Sequence, residues 1–211
     1  MQPLTPHLRN FNSKERYFLI GQALGNPAFK LTSDFRRLLG QAVGFVIPEE
    51  AWAAMDYHID WLCAALTLAS DEDSGTVHAN AERMIRANQE DFDLIVAFDT
   101  QVVSHIVFVE AKGVTGWGND QVASKLQRLK QIFGHDGRRW LCRTPHFVMM
   151  SPRRPTSRLD MASWPVWAKP NGQVVWLPLN VPKELVRVSR CDAQGHACKG
   201  GNRWTALPRR Y

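Results

Sequence analysis

The amino-acid sequence predicts a mixed α/β (α+β) fold in which a central mixed β-sheet is flanked by helices. Two short, continuous apolar runs in the middle of the chain, residues 94–98 and 106–109, are rich in strand-forming residues. Amphipathic patterns with helical spacing lie on both sides of them, at about residues 12–69 and 120–133. Because the two apolar runs lack polar alternation, we expect helices to cover both faces of their sheet.

The N-terminal part of the chain is predicted to be helical. A first helix begins at Asn12, where Glu15 completes a capping box, and ends near the Gly-Asn-Pro sequence at 25–27. A second helix is expected over 33–44, with Ser33 as its N-cap. The third and longest is expected over 48–69, since its apolar residues recur at helical spacing. The pattern therefore predicts three helices before any strand.

The middle of the chain predicts a β-hairpin. An acidic loop at 71–75 and a short helix over 81–88 come first. The two apolar runs then form antiparallel strands, since the polar segment 99–105 between them has hairpin length. If paired positions sum to about 203, residues 101 and 102 form the tip of the hairpin.

The remaining elements alternate between helix and strand. A glycine-containing loop at 113–119 precedes an amphipathic helix over 120–133, whose apolar residues form one stripe. Further strands are predicted at 146–150 and 173–177, with a late hairpin at 185–190 and 203–207.

The charge of the chain is divided between its two parts. The 211 residues carry a net charge of +6, but residues 1–136 hold 12 basic and 17 acidic side chains, and residues 137–211 hold 14 and 3. We interpret the chain as one domain, 1–211, in which 151–211 is a basic, β-rich extension packed on the core. A basic part beside an acidic one indicates a polyanion-binding surface, although a solubilising basic face remains the alternative.

The composition also predicts the cellular location of the protein and bears on a possible structural zinc site. We expect a soluble, cytoplasmic protein that does not bind a membrane, because no apolar run reaches about 18 residues and residues 1–9 lack a signal sequence. The four cysteines are then expected to stay reduced. Cys191, His196 and Cys198 suggest zinc, but the Cys-x6-Cys spacing is too long for typical ligands, and thiols packed beside a hairpin are the alternative.

Three charged residues carry the predicted chemistry. Glu110 and Lys112, at the end of the second apolar strand, project to the same face because strand residues two apart do so. In the expected register, Asp93 at the start of the first strand lies opposite Glu110. Asp91 competes for this role, but Asp93 directly adjoins the apolar run.

Two carboxylates across a ladder repel each other unless a cation lies between them. Oxygen ligands without cysteine or histidine favour a hard divalent ion, Mg²⁺ or Mn²⁺. Lys112 would then stabilise the charge on a phosphate or help to activate the attacking water. The residues thus predict metal-assisted hydrolysis of a phosphodiester.

At these positions the sequence resembles the PD-(D/E)XK nuclease superfamily, which has a restriction-endonuclease-like core. The matching segments are Phe92-Asp93-Leu-Ile-Val and Val-Phe-Val-Glu110-Ala111-Lys112, with Phe92 in place of the family's proline. The resemblance implies metal binding by Asp93, Glu110 and the Ala111 carbonyl, and a catalytic role for Lys112. It covers about residues 12–150.

The resemblance extends to two helices. Family members often carry a Gln on the helix after the Glu-x-Lys strand, followed four residues later by Tyr or Lys, which implies roles for Gln121 and Lys125. With Arg128 they form one polar stripe that would contact nucleic acid, or else an ordinary solvent face. A glutamate on the first core helix is also frequent in the family, which implies a catalytic role for Glu15 unless it serves only the capping box.

Other candidate nucleic-acid contacts follow the catalytic strand. Trp117 and Asn119 lie in the loop after Lys112, where an exposed tryptophan would stack on a base, unless it folds back onto the core. Arg153 and Arg154 open the basic extension and suit phosphate contacts.

The sequence therefore predicts a Mg²⁺-dependent or Mn²⁺-dependent nuclease that acts on DNA, and an endonuclease in particular. A homodimer would let two sites cut two strands. The alternatives are a non-catalytic module on the same fold that binds nucleic acid or protein, and a nuclease for RNA or structured DNA.

Overall fold

A computed structural model describes residues 2–11, 14–70, 75–88, 90–113, 117, 119–155, 159–182 and 184–208. The helices are α1 (Leu4–Asn10), α2 (Glu15–Ala23), α3 (Ser33–Val43), α4 (Ile59–Ser70) and α5 (Asn119–Phe133), with 3₁₀ turns at Val166–Ala168 and Pro170–Gly172. The strands are β1 (Trp52–His58), β2 (Asp91–Asp99), β3 (Ser104–Ala111), β4 (Arg143–Ser151), β5 (Val175–Pro178), β6 (Val186–Cys191) and β7 (Arg203–Pro208).

The centre of the molecule is a five-stranded mixed sheet in the order β1-β2-β3-β4-β5. The first three strands are antiparallel neighbours, whereas β4 and β5 run parallel to β3. Helices α1, α4 and α5 cover one face of the sheet, and α3 with the segment after it covers the other. This confirms the predicted α/β class with a mixed sheet flanked by helices.

The predicted β2–β3 hairpin is confirmed together with its register. Leu94 pairs with Val109 and Ile95 with Phe108, so paired positions sum to 203. A bond from the Thr100 amide to the Val103 carbonyl, 2.8 Å long, closes the turn at residues 101 and 102. Asp93 and Glu110 are the residues that directly adjoin the last of these pairs, Leu94 and Val109.

Strands β3 and β4 end at the same edge of the sheet, and this edge positions the candidate site. Ala111 pairs with Met150, and the Lys112 amide donates to the Met150 carbonyl at 2.8 Å. Helix α5 makes the crossover between these parallel strands. Residues that leave β3 and β4 therefore lie side by side, close to α5.

The long helix predicted over 48–69 is wrong in its first half. Residues Trp52–His58 form β1, which pairs antiparallel with β2, and the helix occupies only Ile59–Ser70. The apolar residues at the start of β1 satisfy helical spacing, but they also form a nearly continuous run that is buried in the sheet. Consequently the expectation that three helices precede any strand is also wrong.

The short helix predicted over 81–88 does not form. This segment is irregular, and its backbone groups bond to buried charges: the Arg86 and Ala87 amides donate to Asp60, and the Met84 carbonyl accepts from Arg128. These tertiary bonds take the place of helical ones.

Helix ends differ from prediction in detail. Thr32, one residue before the expected Ser33, is the N-cap of α3, and its hydroxyl accepts from the Phe35 amide at 3.2 Å. Helix α2 begins at Glu15, while Asn12 lies outside the described residues. The sequence did not predict α1, which buries two leucines in the core.

The later elements follow the prediction. Helix α5 and strands β4 and β5 occupy their expected positions within a few residues, and β6 and β7 form the late hairpin as a separate two-stranded sheet. None of the helices within the described ranges has the length and apolar character that crossing a bilayer requires.

Candidate active site

The three central residues of the prediction lie together where β2 begins and β3 ends. The Glu110 side chain is only 3% exposed, whereas Asp93 and Lys112 are partly exposed. Asp93 accepts a hydrogen bond from the Ala111 amide at 2.6 Å, which fixes its carboxylate beside the end of β3. The structure thus brings Asp93, Glu110, Ala111 and Lys112 to one place.

Glu110 forms an ion pair with Lys125 of α5. The Lys125 Nζ donates to both Glu110 carboxylate oxygens, at 2.7 and 2.6 Å. Burial nevertheless raises the pKa of Glu110 above its ordinary value, against the lowering effect of Lys125, and the negative charge of Asp93 raises it further. The hydrogen bonds and positive charge of Lys125 therefore do not fully offset the cost of burying the Glu110 charge.

Lys112 and Gln121 also meet. The Lys112 Nζ donates to the Gln121 Oε1 at 3.0 Å, so the residue that follows β3 is held by the first turns of α5. Glu110 and Lys112 both bond to α5, which agrees with the expectation that they project to the same face. One helix thus supplies a partner to each of the two charged residues.

Asp91, the competing candidate for the first carboxylate, has a different partner. Its Oδ2 forms an ion pair with Lys14, which directly precedes α2. Asp93 instead contacts the backbone of the strand that carries Glu110. This difference supports Asp93 as the carboxylate that belongs to the Glu110 site.

Arg128 does not lie on an exposed stripe, and that part of the prediction is wrong. It is 1% exposed, and its guanidinium donates to Asp60 at 2.6 Å, to the Met84 carbonyl at 2.7 Å and to Asn88 at 2.9 Å. A further contact reaches Glu90 at 3.4 Å. Arg128 therefore binds the irregular segment before β2 to α5 and offers no surface to nucleic acid.

Glu15 is exposed in the first turn of α2. Among the described residues, no hydrogen bond or ion pair joins it to Asp93 or Glu110. The neighbouring Lys14 and Arg16 do reach acids of the sheet, Asp91 and Asp56. The structure therefore places α2 beside this end of the sheet but does not bring Glu15 into the cluster.

Trp117 is half-buried and packs against the core. Its indole Nε1 donates to the Ser151 hydroxyl at 3.1 Å, and Trp176 donates to the same oxygen at 3.1 Å. This is the folded-back arrangement, which ties the loop after Lys112 to the end of β4. Asn119 begins α5, and its side chain lies outside the described residues, as do residues 114–116 and 118.

Arg153 and Arg154 are exposed just after β4. Ser151, which holds Trp117, also donates to the Arg153 carbonyl at 2.7 Å. Because β3 and β4 end at the same edge, these arginines leave the sheet on the side where Glu110 and Lys112 lie. Positive charge therefore lies at the same edge of the sheet as the carboxylate cluster.

The zinc interpretation of Cys191, His196 and Cys198 gains no support. Cys191 is buried, Cys198 is exposed, and the His196 ring pairs with Asp192 at 3.4 Å. Throughout the part of the chain that the structure describes, no three His, Cys, Asp or Glu side chains form a cluster suited to a metal ion.

The donor set at the Asp93–Glu110 pair nevertheless suits a hard cation. Two carboxylates and the Ala111 carbonyl are oxygen ligands, and Mg²⁺ commonly uses one or two carboxylates while keeping several waters. The negative charge of Asp93 beside the buried Glu110 is a setting in which a bound cation is electrostatically favourable. These residues fit Mg²⁺ or Mn²⁺, although the described side chains alone do not complete a coordination sphere.

Sequence reasoning missed two features of the site. The ion pair between Lys125 and Glu110 does not follow from the sequence. Helical spacing assigns Lys125 to the polar stripe of α5, but it does not identify a partner on the sheet. Ser151, the anchor of Trp117, carried no recognisable motif. Both depend on contacts across at least 15 positions of the chain.

No protein-family model matches this chain, and neither a curated protein nor a solved structure matches it.

Proposed function

We propose that the protein is a metal-dependent nuclease that hydrolyses phosphodiester bonds in DNA, with Asp93, Glu110 and Lys112 at its centre. The observation that carries this proposal is the cluster at the end of β3, where two carboxylates and a lysine meet. Its likeness to the PD-(D/E)XK pattern rests on these residues and on the partners that α5 provides, Gln121 and Lys125.

Each residue has a distinct task in the proposed reaction. Asp93 and Glu110, with the Ala111 carbonyl, would hold Mg²⁺ or Mn²⁺. When bound, the ion would polarise the scissile phosphate and make water a better nucleophile. Lys112 would place its ammonium against the phosphate, where it stabilises the negative charge of the transition state. Gln121 would orient Lys112 through the 3.0 Å hydrogen bond.

The surroundings support a polyanionic substrate. Arg153 and Arg154 are exposed at the same edge of the sheet, and residues 137–211 carry 14 basic side chains against 3 acidic ones. Exposed arginines at that edge favour phosphate contacts without a sequence preference. DNA is the substrate that we propose. Cleavage assays with RNA and structured DNA distinguish it from these alternatives.

The test is cleavage of supercoiled plasmid and linear DNA with Mg²⁺ or Mn²⁺, and with EDTA as a blank. Lys112→Ala and Asp93→Asn should each reduce the rate by roughly 100-fold or more, as loss of charge stabilisation or proton transfer does in other enzymes. Matched controls are Lys30→Ala and Asp34→Asn, which alter exposed residues with only weak ion pairs.

Equal cleavage by wild type, Lys112→Ala and Asp93→Asn would contradict the proposal. DNA binding without hydrolysis of DNA, RNA, flap or junction substrates would favour a non-catalytic module instead. A preference for RNA or for a branched substrate would keep the chemistry and change the substrate.

A further inference from the structure

The β6–β7 hairpin is a two-stranded sheet separate from the central one. Val186 pairs with Pro208 and Cys191 with Arg203, so the register runs without interruption over six positions of each strand. Nine of its twelve strand residues are exposed. Because an isolated two-stranded hairpin is only marginally stable in water, such a ribbon is suited to being covered by a partner.

One face of this ribbon is entirely exposed. Strand residues two apart share a face, which places Val186, Val188 and Arg190 opposite Pro208, Ala206 and Trp204. All six are exposed, and Trp204 is 70% exposed. An exposed face with an aromatic and several aliphatic side chains is uncommon on a surface without a binding role.

The ribbon is also basic. Residues 186–208 contain four basic side chains, Arg187, Arg190, Lys199 and Arg203, against a single acid, Asp192. Arg190 and Lys199 line an open depression of about 540 Å³ beside Ala197 and Cys198. The Arg190 Nε donates to the Gly201 carbonyl at 3.1 Å, which fixes the guanidinium at the mouth of the depression.

The positive charge of the β6–β7 ribbon favours one class of binding partner. Two copies of this ribbon placed face to face would bring like charges together, which is unfavourable. A nucleic acid provides the opposite charge, and the major groove of duplex DNA is wide enough to admit a two-stranded β-ribbon. The combination of a basic border with an apolar, aromatic face matches phosphates beside base edges.

We infer that the β6–β7 ribbon is a DNA-binding arm that lies in a groove of duplex DNA. Its exposed face, with Val188 and Trp204, contacts base edges and sugars, while Arg190 on that face and Lys199 in the adjoining depression bind phosphates. The choice of DNA rests on the proposed nuclease function. Binding by the arm, however, requires neither metal nor cleavage.

The test is fluorescence anisotropy of a labelled 20-bp duplex in EDTA, over a series of salt concentrations. The double variant Arg190→Ala/Lys199→Ala should weaken binding about tenfold and reduce the salt slope by about 2, since each phosphate contact contributes close to one. Trp204→Ala should weaken binding severalfold with little change of slope. The charge-matched control is Arg9→Ala/Arg37→Ala, which alters exposed arginines of α1 and α3.

If the ribbon variants bind like the control variant, the inference is wrong. It is also wrong if Trp204→Ala abolishes self-association in sedimentation velocity and leaves DNA affinity unchanged, or if wild type prefers RNA to duplex DNA. Lys112→Ala separates this inference from the proposed function. Ribbon-dependent binding without cleavage would contradict the nuclease alone, whereas cleavage that is independent of the ribbon would contradict the arm alone.

Discussion

Helix α5 carries two cations three residues apart, the partly buried Lys125 and the buried Arg128, and each pairs with an acid at 2.6 Å. Arg128 contacts Asp60, Asn88, Glu90 and the Met84 carbonyl. The bonds described for Lys125 go to the two carboxylate oxygens of Glu110. One cation belongs to a network of several elements, and the other to a single pair.

The two acids differ in the same way. Burial alone would raise the pKa of Asp60, but the Arg128 hydrogen bond and the Ala87 and Arg86 amides hold it below its ordinary value. Burial raises the pKa of Glu110, and Lys125 does not compensate. The hydrogen bonds to Asp60 therefore outweigh its desolvation, whereas those to Glu110 do not.

This difference separates a structural ion pair from a candidate functional one on the same helix. A pair whose donors and acceptors are all occupied has no capacity for a ligand, and breaking it leaves several groups unpaired. In the Lys125–Glu110 pair, which lies beside a second carboxylate, a metal ion could replace the lysine as the partner of Glu110. The comparison makes three predictions.

The largest effect is expected for Arg128→Met. It should lower the free energy of unfolding by about 3–5 kcal/mol, because Asp60 would remain buried without its counter-charge. Urea unfolding followed by tryptophan fluorescence measures this loss. Lys125→Met should cost distinctly less, since Glu110 can take up a proton. Equal losses in the two variants would remove the distinction between the pairs.

A smaller effect is expected on metal affinity. Lys125→Met should tighten Mg²⁺ binding about tenfold, because the ammonium that competes for Glu110 is removed, and tenfold corresponds to about 1.4 kcal/mol. Isothermal titration calorimetry without DNA provides the readout. Lys130→Met, in the last turn of the same helix, is the control. Weaker or unchanged Mg²⁺ binding by Lys125→Met would show that Mg²⁺ does not compete with Lys125 for Glu110.

The smallest effect is a pair of opposite pH dependences. The folded-state pKa of Asp60 lies below its ordinary value of 3.8, so its stabilisation is present above pH 3.8 and is lost as the pH falls toward the folded-state pKa. The folded-state pKa of Glu110 lies above 4.5, so the stability that it confers decreases as the pH rises from 4.5 to that pKa.

Unfolding free energies of wild type, Asp60→Asn and Glu110→Gln between pH 3 and 7 measure these dependences. The stability difference from Asp60→Asn should increase with pH, and the difference from Glu110→Gln should decrease. Two slopes of the same sign would contradict the comparison.

Local pattern was sufficient to predict the part of the site that lies on the hairpin. The strands that carry Asp93 and Glu110 are joined by a short polar turn. Paired apolar runs leave little choice of register, so the sequence alone predicts that the two carboxylates lie close together. The β3–α5 arrangement followed from the Glu-x-Lys motif and one amphipathic stripe.

The rest depends on distant contacts. Arg128 and Asp60 are 68 positions apart, and nothing in the helical spacing of α5 distinguishes a buried arginine from an exposed one. The apolar residues of strand β1 satisfy both helical and strand spacing, and only pairing with β2 decides between the two structures.

We propose that the Asp93–Glu110 carboxylate pair is the metal site of a nuclease. The most direct test of this proposal is the anomalous signal of Mn²⁺ in crystals soaked in MnCl₂. We predict a peak between Asp93 and Glu110, within coordinating distance of the Ala111 carbonyl, and its loss in Asp93→Asn. Absence of a peak there in wild-type crystals, with Lys125 still bound to Glu110, would contradict the account.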